Sequence, residues 1–475
     1  MRRALPALLF ACILLELCAC AKIVPAEDTT SENTTVYEIA AELFPETHSL
    51  NVTATIRYTL PQDELAAVKL RLYANAYQGT PVAAGKYSAA YPNGVDHGGC
   101  EILSVEGSEE IPSYEVGAED PTVLTIRLAE KHKKGDEISL TIRAAVTLAN
   151  TKHRLGYTNG YYVLSDFYPV MCPYEDGKFR TDPYYPYGDP FLRETSDFDV
   201  TLTLPITMES AASALPTEVR DEGLKVVRRY VAVKTREFAC VASPRLLCKE
   251  CRSGDLTLRY YYEKDNKSAD TLGYIEEAVR TFEDAFGEHP YPSFSIVLAP
   301  FFEAGMEFSG LALINNALSA TERRKTILHE TAHEWWHGKV GSDEISHPWQ
   351  DEALAEYSVW YYHKVHQADG YCRRLVNDAL DDYTTYAALK GDAAVSHPLS
   401  LGEEGYVETT YRKGLLMMTS LAEIVGADKV ARALKQYADD YRDTIAPPKA
   451  LIDALSKLSE ENYFHTWLYT PLPLG

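Results

Sequence analysis

The stretch His329-Glu330-Thr331-Ala332-His333 decides how the rest of the chain is interpreted. Its two histidines are four residues apart, and a helix places such a pair on one face, where both imidazoles can share a metal ion with Glu330 beside it. A helix is favoured because Ser319 and Glu322 have the spacing of a capping box, and Gly338 can end the run. We predict a metal-binding helix over 319–338; the alternative is an ordinary amphipathic helix.

A third ligand follows downstream. Eighteen residues separate His333 from Glu352, and Pro348 with the polar residues after it predicts a second helix that has Glu352 in its first turn. Two histidine nitrogens and one carboxylate oxygen suit Zn²⁺ and leave a fourth position for water, which is typical of a catalytic site. Glu330 is then placed to take a proton from that water and to pass it to a leaving amine. Glu356 is either an outer partner of a ligand histidine or part of a solvated helix face.

The motif H-E-x-x-H followed after eighteen residues by Glu resembles the zinc metallopeptidases of the aminopeptidase N-like (gluzincin) family. Trp335-Trp336 and 349–356 are also similar to residues that flank that family's ligands. Ala304-Gly305-Met306-Glu307 resembles the family's G-x-M-E-N strand, and Tyr411-Arg412-Lys413-Gly414 resembles its Y-x-K-G segment.

The resemblance implies roles for these residues. It makes His329, His333 and Glu352 the ligands of one zinc ion and Glu330 the general base. It implies that Glu307 binds the free α-amine of a peptide, with Gly305 and Met306 as substrate-binding neighbours. It also implies that Tyr411 stabilises the oxyanion, and a phenol hydroxyl can donate to developing negative charge.

Two departures from the family pattern concern substrate binding. Phe308 stands where the family usually has Asn, and we find no counterpart of the second amine-binding residue that the family's N-terminal domain supplies. We also expect a short form that lacks the family's helical C-terminal domain, because the sequence ends about sixty residues after Tyr411.

The residue pattern changes once along the chain. Short alternating runs such as 50–58, 123–128, 138–143 and 198–204 predict antiparallel strands in the first half. The second half has a short apolar run at 294–298 and helical patterns at 268–286, 319–338, 350–367, 371–389, 413–425 and 427–441. We predict an α+β protein with a β-sandwich-like domain at 36–255 and a mainly helical domain with a small sheet at 256–475. The family resemblance implies that the second domain is a thermolysin-like zinc catalytic domain. Tyr157–Leu192, rich in Tyr and Pro, is interpreted as aromatic packing, with a substrate-facing role as the alternative.

Residues 1–20 have the features of a bacterial lipoprotein signal peptide. Arg2 and Arg3 precede a mostly apolar run that ends Leu17-Cys18-Ala19-Cys20, which resembles a lipobox. We predict that Cys20 carries the lipid anchor of an extracytoplasmic, membrane-anchored protein and that 21–35 is a disordered tether. Plain secretion after cleavage near Ala19 or Ala21 is the alternative.

Composition narrows the partners. The net charge of −23 excludes a nucleic-acid binder, which needs a basic footprint, and favours cationic substrates. Six cysteines lie outside the leader, and the sequence leaves their disulfide connectivity open: Cys100, Cys172, Cys240, Cys248, Cys251 and Cys372. For the isolated C-x-x-C motif of Cys248 and Cys251, a buried or disulfide-bonded pair is favoured over a zinc knuckle.

The sequence therefore predicts a zinc metallopeptidase, and an aminopeptidase acting on peptides in particular. A zinc endopeptidase or another hydrolase on the same scaffold is one alternative, and a non-catalytic peptide-binding lipoprotein is another. His337 and His347 lack ligand spacing, and Tyr406 is the fallback for Tyr411. The residue preferred at the substrate N-terminus and the oligomeric state stay open.

Overall fold

The computed structural model describes residues 34–79, 89–129, 132–264, 270–460 and 462–474. The predicted signal peptide, Cys20 and the tether up to residue 33 lie outside these residues. Thr35, the last residue of the predicted tether, is already the first residue of a strand. Within the described residues, we find no helix that combines the length and the apolar character needed to span a membrane.

The first half of the described chain is made of β-strands, as the alternating pattern predicts. In chain order they are β1 (Thr35–Phe44), β2 (Ser49–Thr59), β3 (Ala67–Arg71), β4 (Gly99–Gly107), β5 (Ser113–Val116), β6 (Val123–Arg127), β7 (Glu137–Thr147), β8 (Leu155–Thr158), β9 (Tyr161–Ser165), β10 (Val170–Met171), β11 (Tyr174–Glu175), β12 (Lys178–Phe179), β13 (Ser196–Pro205), β14 (Glu209–Ala212), β15 (Pro216–Asp221), β16 (Lys225–Thr235), β17 (Ala239–Ser243) and β18 (Leu247–Ser253).

These strands form layered sheets around one core. A seven-stranded sheet has the order β15-β16-β13-β1-β2-β7-β4, and two four-stranded sheets have the orders β10-β3-β6-β5 and β14-β17-β9-β8. Pairing is antiparallel except between β1 and β13, which run parallel. Every second residue of β2 is buried, from Leu50 to Tyr58, because successive side chains of a strand point to opposite faces.

The second half combines a sheet with helices. Its elements are β19 (Leu256–Tyr262), α1 (Thr271–Phe286), β20 (Ser293–Ala299), β21 (Gly305–Phe308), β22 (Leu311–Asn315), α2 (Ala320–His333), α3 (Trp349–Val365), α4 (Asp369–Lys390), α5 (Gly414–Val425), α6 (Ala427–Asp440), α7 (Pro448–Ser456) and α8 (Tyr463–Tyr469). The sheet order is β18-β19-β20-β22-β21, with β21 antiparallel at one edge. The predicted domain boundary at 255/256 falls between the paired strands β18 and β19 and stays a prediction.

Helix α2 begins where the capping box predicts. Ser319 Oγ accepts a hydrogen bond from the Glu322 amide (3.3 Å), and Glu322 Oε2 accepts one from the Ser319 amide (2.9 Å), so two otherwise unpaired donors of the first turn are satisfied. The α-helix ends at His333 and the chain continues as a π-helical turn over Glu334–Lys339. The predicted helix at 319–338 is therefore found, with a wider last turn.

Apolar packing joins the two halves. Buried Val163 of β9 and Val241 of β17 share one cluster with Val297 of β20 and Leu313 of β22. Phe308 lies in the same cluster and is 2% exposed. Burying a side chain of this size contributes roughly 1.5–3 kcal/mol relative to exposing it. Where the family usually has Asn, this chain therefore has an apolar residue that packs between the halves.

A buried ion network also crosses between the halves. Glu237, between β16 and β17, accepts hydrogen bonds from Arg193 Nη1 (2.9 Å) and from the Ser309 amide (2.5 Å). His337 lies between Glu237 (3.2 Å) and Glu344 (2.9 Å). Burial opposes the charged forms, but these contacts lower the pKa of Glu237 to about 2 and raise that of His337 to about 10. His337 is thus part of a structural ion network.

We predict that Glu237→Ala lowers the free energy of unfolding by about 3–5 kcal/mol, because it leaves buried cations without their shared partner. Urea unfolding measures the change. The control is Glu38→Ala, which removes the exposed pair with Arg57 (2.6 Å) and should lower that free energy by less than about 1 kcal/mol. Equal effects of the two substitutions would contradict the importance of the buried network.

Candidate metal centre

The three predicted metal ligands converge at the facing ends of α2 and α3. His329 Nε2 lies 3.2 Å from His333 Nε2 and 3.1 Å from Glu352 Oε2, and His333 Nε2 lies 3.5 Å from the same oxygen. A tetrahedral zinc site with ligand distances of roughly 2.0–2.2 Å has edges of about 3.3–3.5 Å. The triangle of donor atoms therefore fits Zn²⁺ in size and in chemistry, and a fourth corner is left for water.

Helix α3 is held close to the turn after α2 and to the start of α5, and these contacts position the three ligands. Trp336, in the turn that follows α2, donates a hydrogen bond from its indole nitrogen to Ser358 Oγ on α3 (2.9 Å). Gly414 lies so close to α3 that a Cβ added there would be 2.7 Å from the Cβ of Ala353. Ala353 directly follows Glu352. The absence of a side chain at Gly414 therefore lets the segment that carries Tyr411 approach the metal ligands.

Glu356 is buried and contacts a metal ligand. Its Oε1 lies 3.2 Å from His329 Nδ1, and its Oε2 lies 3.1 Å from Lys325 Nζ. Burial opposes ionisation of Glu356, but Lys325 and His329 hold its pKa well below the usual range. A carboxylate on the second ring nitrogen orients a ligand imidazole and raises its basicity. Glu356 thus occupies the outer-partner position, and at 5% exposure it is no solvated helix face.

Glu330 projects into the cavity beside the ligands. It is 5% exposed, and within the described residues its Oε2 has no hydrogen-bond partner. Burial raises the pKa of Glu330 to about 8; Glu352 and Asp189 add to the increase and His329 opposes it. A carboxylate with a pKa near neutrality suits proton transfer at physiological pH. A Cβ at residue 305 would lie 2.3 Å from Glu330 Oε1, so Gly305 is the residue that leaves room for this carboxylate.

Glu307 on the edge strand β21 lies on the same cavity. It is 7% exposed, and no described residue forms a hydrogen bond or ion pair with its carboxylate. Burial raises the pKa of Glu307 well above its ordinary value, and Asp189, Glu330 and Glu352 add to the increase. A buried carboxylate without a partner is unfavourable unless a cation meets it. The position therefore favours a bound ammonium group.

Two tyrosines line the cavity next to the ligands. Tyr411, in the π-helical segment Val407–Lys413, donates a hydrogen bond to Glu352 Oε1 (2.5 Å). The Tyr406 ring packs edge-on against it, with ring centroids 5.8 Å apart. Tyr411 thus reaches the ligand set directly, and Tyr406 is the second phenol on the cavity wall.

The cavity itself measures about 550 Å³ and contains residues that the sequence analysis did not select. Arg154, just before β8, donates to Asp189 Oδ1 (2.5 Å) and to Met306 Sδ (2.7 Å). Its Nη2 also lies 3.7 Å from Glu303 Oε2. Asp189 lies in the Tyr- and Pro-rich stretch Tyr157–Leu192. A substrate-facing role is the alternative interpretation of that stretch, and it would point to this residue. His337, His347 and Phe308 do not line this cavity.

The cysteines take no part in the site. None of the six in the described part of the chain forms a disulfide; Cys248 is exposed and Cys251 is partly buried on β18. Cys248 and Cys251 are three residues apart on a strand, so their side chains point to opposite faces. A metal knuckle formed by this pair is therefore not favoured.

Comparison with known proteins agrees with the geometry. The family model "Peptidase family M1 domain" matches residues 271–467. Aminopeptidase N of Lactobacillus delbrueckii subsp. lactis is 25% identical over 293 residues, which is 55% of this chain and 34% of that protein. Aminopeptidase M1-A of Oryza sativa subsp. japonica is 24% identical over 406 residues, which is 78% of this chain and 45% of that protein. The chain spans less than half the length of either relative.

Solved structures share the whole fold. The crystal structure of an M1 zinc metallopeptidase from Deinococcus radiodurans has a TM-score of 0.68 at 16% identity and covers 93% of this chain and 95% of its own. A structure of a mutant of that enzyme, bound to a Tyr-Ser-Ala substrate, has a TM-score of 0.69 at 17% identity with the same coverage. The predicted α+β fold class is confirmed. Residues 271–467 thus match the peptidase family M1 domain, and the fold is that of a solved M1 zinc metallopeptidase.

Proposed function

We propose that this protein is a zinc aminopeptidase that removes the N-terminal residue from peptides. The observation that carries the proposal is the buried carboxylate of Glu307, which has no partner among the described residues and lines the same cavity as Glu330, His329 and Glu352. An amine anchor fixed beside the reacting centre admits a chain end and excludes a chain interior. The relatives from Lactobacillus and Oryza are both named aminopeptidases.

The residues divide the hydrolysis among them. His329, His333 and Glu352 would hold a zinc ion, which when bound would supply Lewis acidity and lower the pKa of a water molecule to about 7. Glu330 removes a proton from the attacking water as its oxygen bonds to the scissile carbonyl carbon. It then delivers this proton to the leaving nitrogen as the C–N bond breaks.

Two further groups act on the substrate. Glu307 holds the α-ammonium group and so fixes which carbonyl meets the water. Tyr411 donates its hydroxyl hydrogen to the carbonyl oxygen as negative charge develops there. Asp189, which is paired with Arg154, lies close enough to raise the pKa of Glu307, although no family motif marks it.

We propose further that the protein works outside the cytoplasmic membrane, held by a lipid on Cys20. Support comes from residues 1–20 alone: two arginines, a short apolar run, and a cysteine after a small residue. The mature protein would then meet peptides in the extracytoplasmic space. Secretion without an anchor is the alternative. Labelling with a radioactive fatty acid distinguishes the two, because only the lipid-anchored protein incorporates the label.

We predict about one zinc ion per chain in the purified protein and less than about a tenth of that in His333→Ala, because two remaining ligands bind weakly. Elemental mass spectrometry after dialysis measures the content. His347→Ala, which removes a half-buried histidine away from the cavity, is the control and should keep its zinc. Full zinc content in His333→Ala would contradict the assigned ligands.

We predict that aminoacyl fluorogenic substrates are hydrolysed, that a chelator abolishes the activity, and that added zinc restores it. Glu330→Gln should retain zinc and lose activity by about 10²–10⁴-fold, because the proton acceptor is gone. Steady-state rates and zinc content are measured on the same samples. Zinc retained together with full turnover in Glu330→Gln would refute the general-base role. Failure of the zinc-loaded wild type on every substrate would favour a non-catalytic peptide binder.

We predict that N-acetylated peptides are cleaved at least about 10²-fold more slowly than the same peptides with a free amine, since Glu307 then meets no cation. Chromatography of the products measures both rates. In Glu307→Gln the difference should shrink, mainly through a higher KM for the free peptides. Equal cleavage of blocked and free peptides by the wild type would indicate an endopeptidase.

A further inference from the structure

The cavity above the metal centre has an excess of negative charge. Among the described residues, each of the four Arg and Lys side chains of this cavity already has an acidic partner: Arg154 with Asp189 (2.5 Å), Lys325 with Glu356 (3.1 Å), Lys390 with Glu404 (2.8 Å) and Arg412 with Asp382 (2.9 Å). In the described part of the chain, ten carboxylates line the same cavity, namely Asp189, Glu303, Glu307, Glu322, Glu330, Glu352, Glu356, Glu403, Glu404 and Glu408.

Most of these carboxylates have other functions. Three are partners of cavity cations, namely Asp189, Glu356 and Glu404. Four others have roles of their own: Glu352 binds the metal, Glu330 transfers the proton, Glu307 meets the α-amine, and Glu322 caps α2. Of the other three, Glu403 interacts with another residue, so Glu303 and Glu408 remain. The zinc ion and the substrate's ammonium group do not balance them, so a further positive charge on the ligand is favoured.

Glu303 is the better placed of the two. It lies four residues before Glu307 on the segment that leads into β21, so it borders the region where the first substrate residue is held. Its side chain is 38% exposed, and the nearest cation, Arg154, is 3.7 Å away and already bonded to Asp189 at 2.5 Å. A carboxylate accepts up to about four hydrogen bonds, so Glu303 has capacity for a second cation.

The backbone around Glu303 is fixed. Asn315 at the end of β22 donates two hydrogen bonds to this segment. Its side-chain amide donates to the backbone carbonyl of Glu303 (2.9 Å), and its backbone N–H donates to the carbonyl of Ala304 (2.9 Å). Burial raises the pKa of the Glu303 carboxyl. The charge of Arg154 opposes this increase, and the charges of Glu352 and Glu403 add to it. The carboxylate is thus presented from a rigid wall in a negative environment, where an incoming cation is strongly favoured.

A second observation points to a ligand at the same place. The neighbouring carboxylate of Glu307 is 93% buried and lacks a partner among the described residues. A residue anchored there by its α-amine extends its side chain into the same cavity. Glu303 can then meet a cationic head group at the end of a long side chain.

We propose that the enzyme prefers peptides whose first residue is arginine or lysine and that Glu303 receives the side-chain cation. The inference rests on the proposed aminopeptidase function and adds the substrate class. An acidic first residue is excluded by the same carboxylates, because like charges in a partly desolvated cleft repel. The preference should weaken as ionic strength rises.

The test compares kcat/KM for Arg-, Lys-, Met- and Glu-aminomethylcoumarin with the zinc-loaded full chain. Met is the neutral match in length for the basic residues. We expect Arg and Lys to exceed Met by about tenfold or more, and Glu to be the poorest substrate. In Glu303→Gln the Arg-to-Met ratio should fall by about tenfold, whereas Glu303→Asp, which keeps the charge, should retain most of it.

Glu404→Gln is the matched control, because it removes one negative charge from the same cavity at a position that Lys390 already neutralises. Its Arg-to-Met ratio should stay within about twofold of the wild type. Zinc content verifies that each variant is folded. Turnover of Met without a basic preference, or an unchanged ratio in Glu303→Gln, would overturn the inference and leave the aminopeptidase function standing. No turnover of any substrate would overturn both.

Discussion

Two imidazole nitrogens and a carboxylate oxygen, buried within 3.5 Å of one another, are the constraint on which the rest of this structure depends. The lone pairs of these three atoms repel one another unless a proton or a metal cation lies among them. The surroundings favour that charge: burial alone lowers the pKa of His329, but Glu352 and Glu356 raise it to about 10. A divalent cation satisfies all three donors at once, and their separations match a zinc tetrahedron.

The neighbouring structure holds these donors in place from several directions. Glu356 and Lys325 orient one imidazole from behind, and the ion network around Glu237 ties the turn after α2 to the N-terminal half. Arg154 of that half donates a hydrogen bond to Met306 on β21. The N-terminal half is therefore more than a support for the catalytic half, because it supplies one wall of the cavity.

Local signals made much of this predictable. The capping box predicts the start of α2, and the i to i+4 spacing predicts that the two histidines share one face. The alternating pattern predicts strands such as β2 and β7, and the structure has each of these features. The roles of the catalytic and binding residues stay predictions, although the structure brings them onto one cavity. Phe308 has a physical explanation, since it packs between the halves.

What could not be predicted depends on contacts far apart in the chain. Asp189 and Arg154 reach the cavity only because distant loops fold over it, and no periodicity or motif marks either one. The partners of His337 lie on separate segments for the same reason. The π-helical turn after His333 has no local signal, because hydrogen-bond register at a helix end depends on what the helix packs against.

X-ray absorption at the zinc edge, on the full chain loaded with one equivalent of the metal, tests the central claim most directly. The account predicts a four-coordinate ion with nitrogen and oxygen neighbours at about 2.0–2.2 Å and the outer scattering of two imidazole rings. Sulfur at about 2.3 Å, or an oxygen-only shell without imidazole scattering, would contradict it.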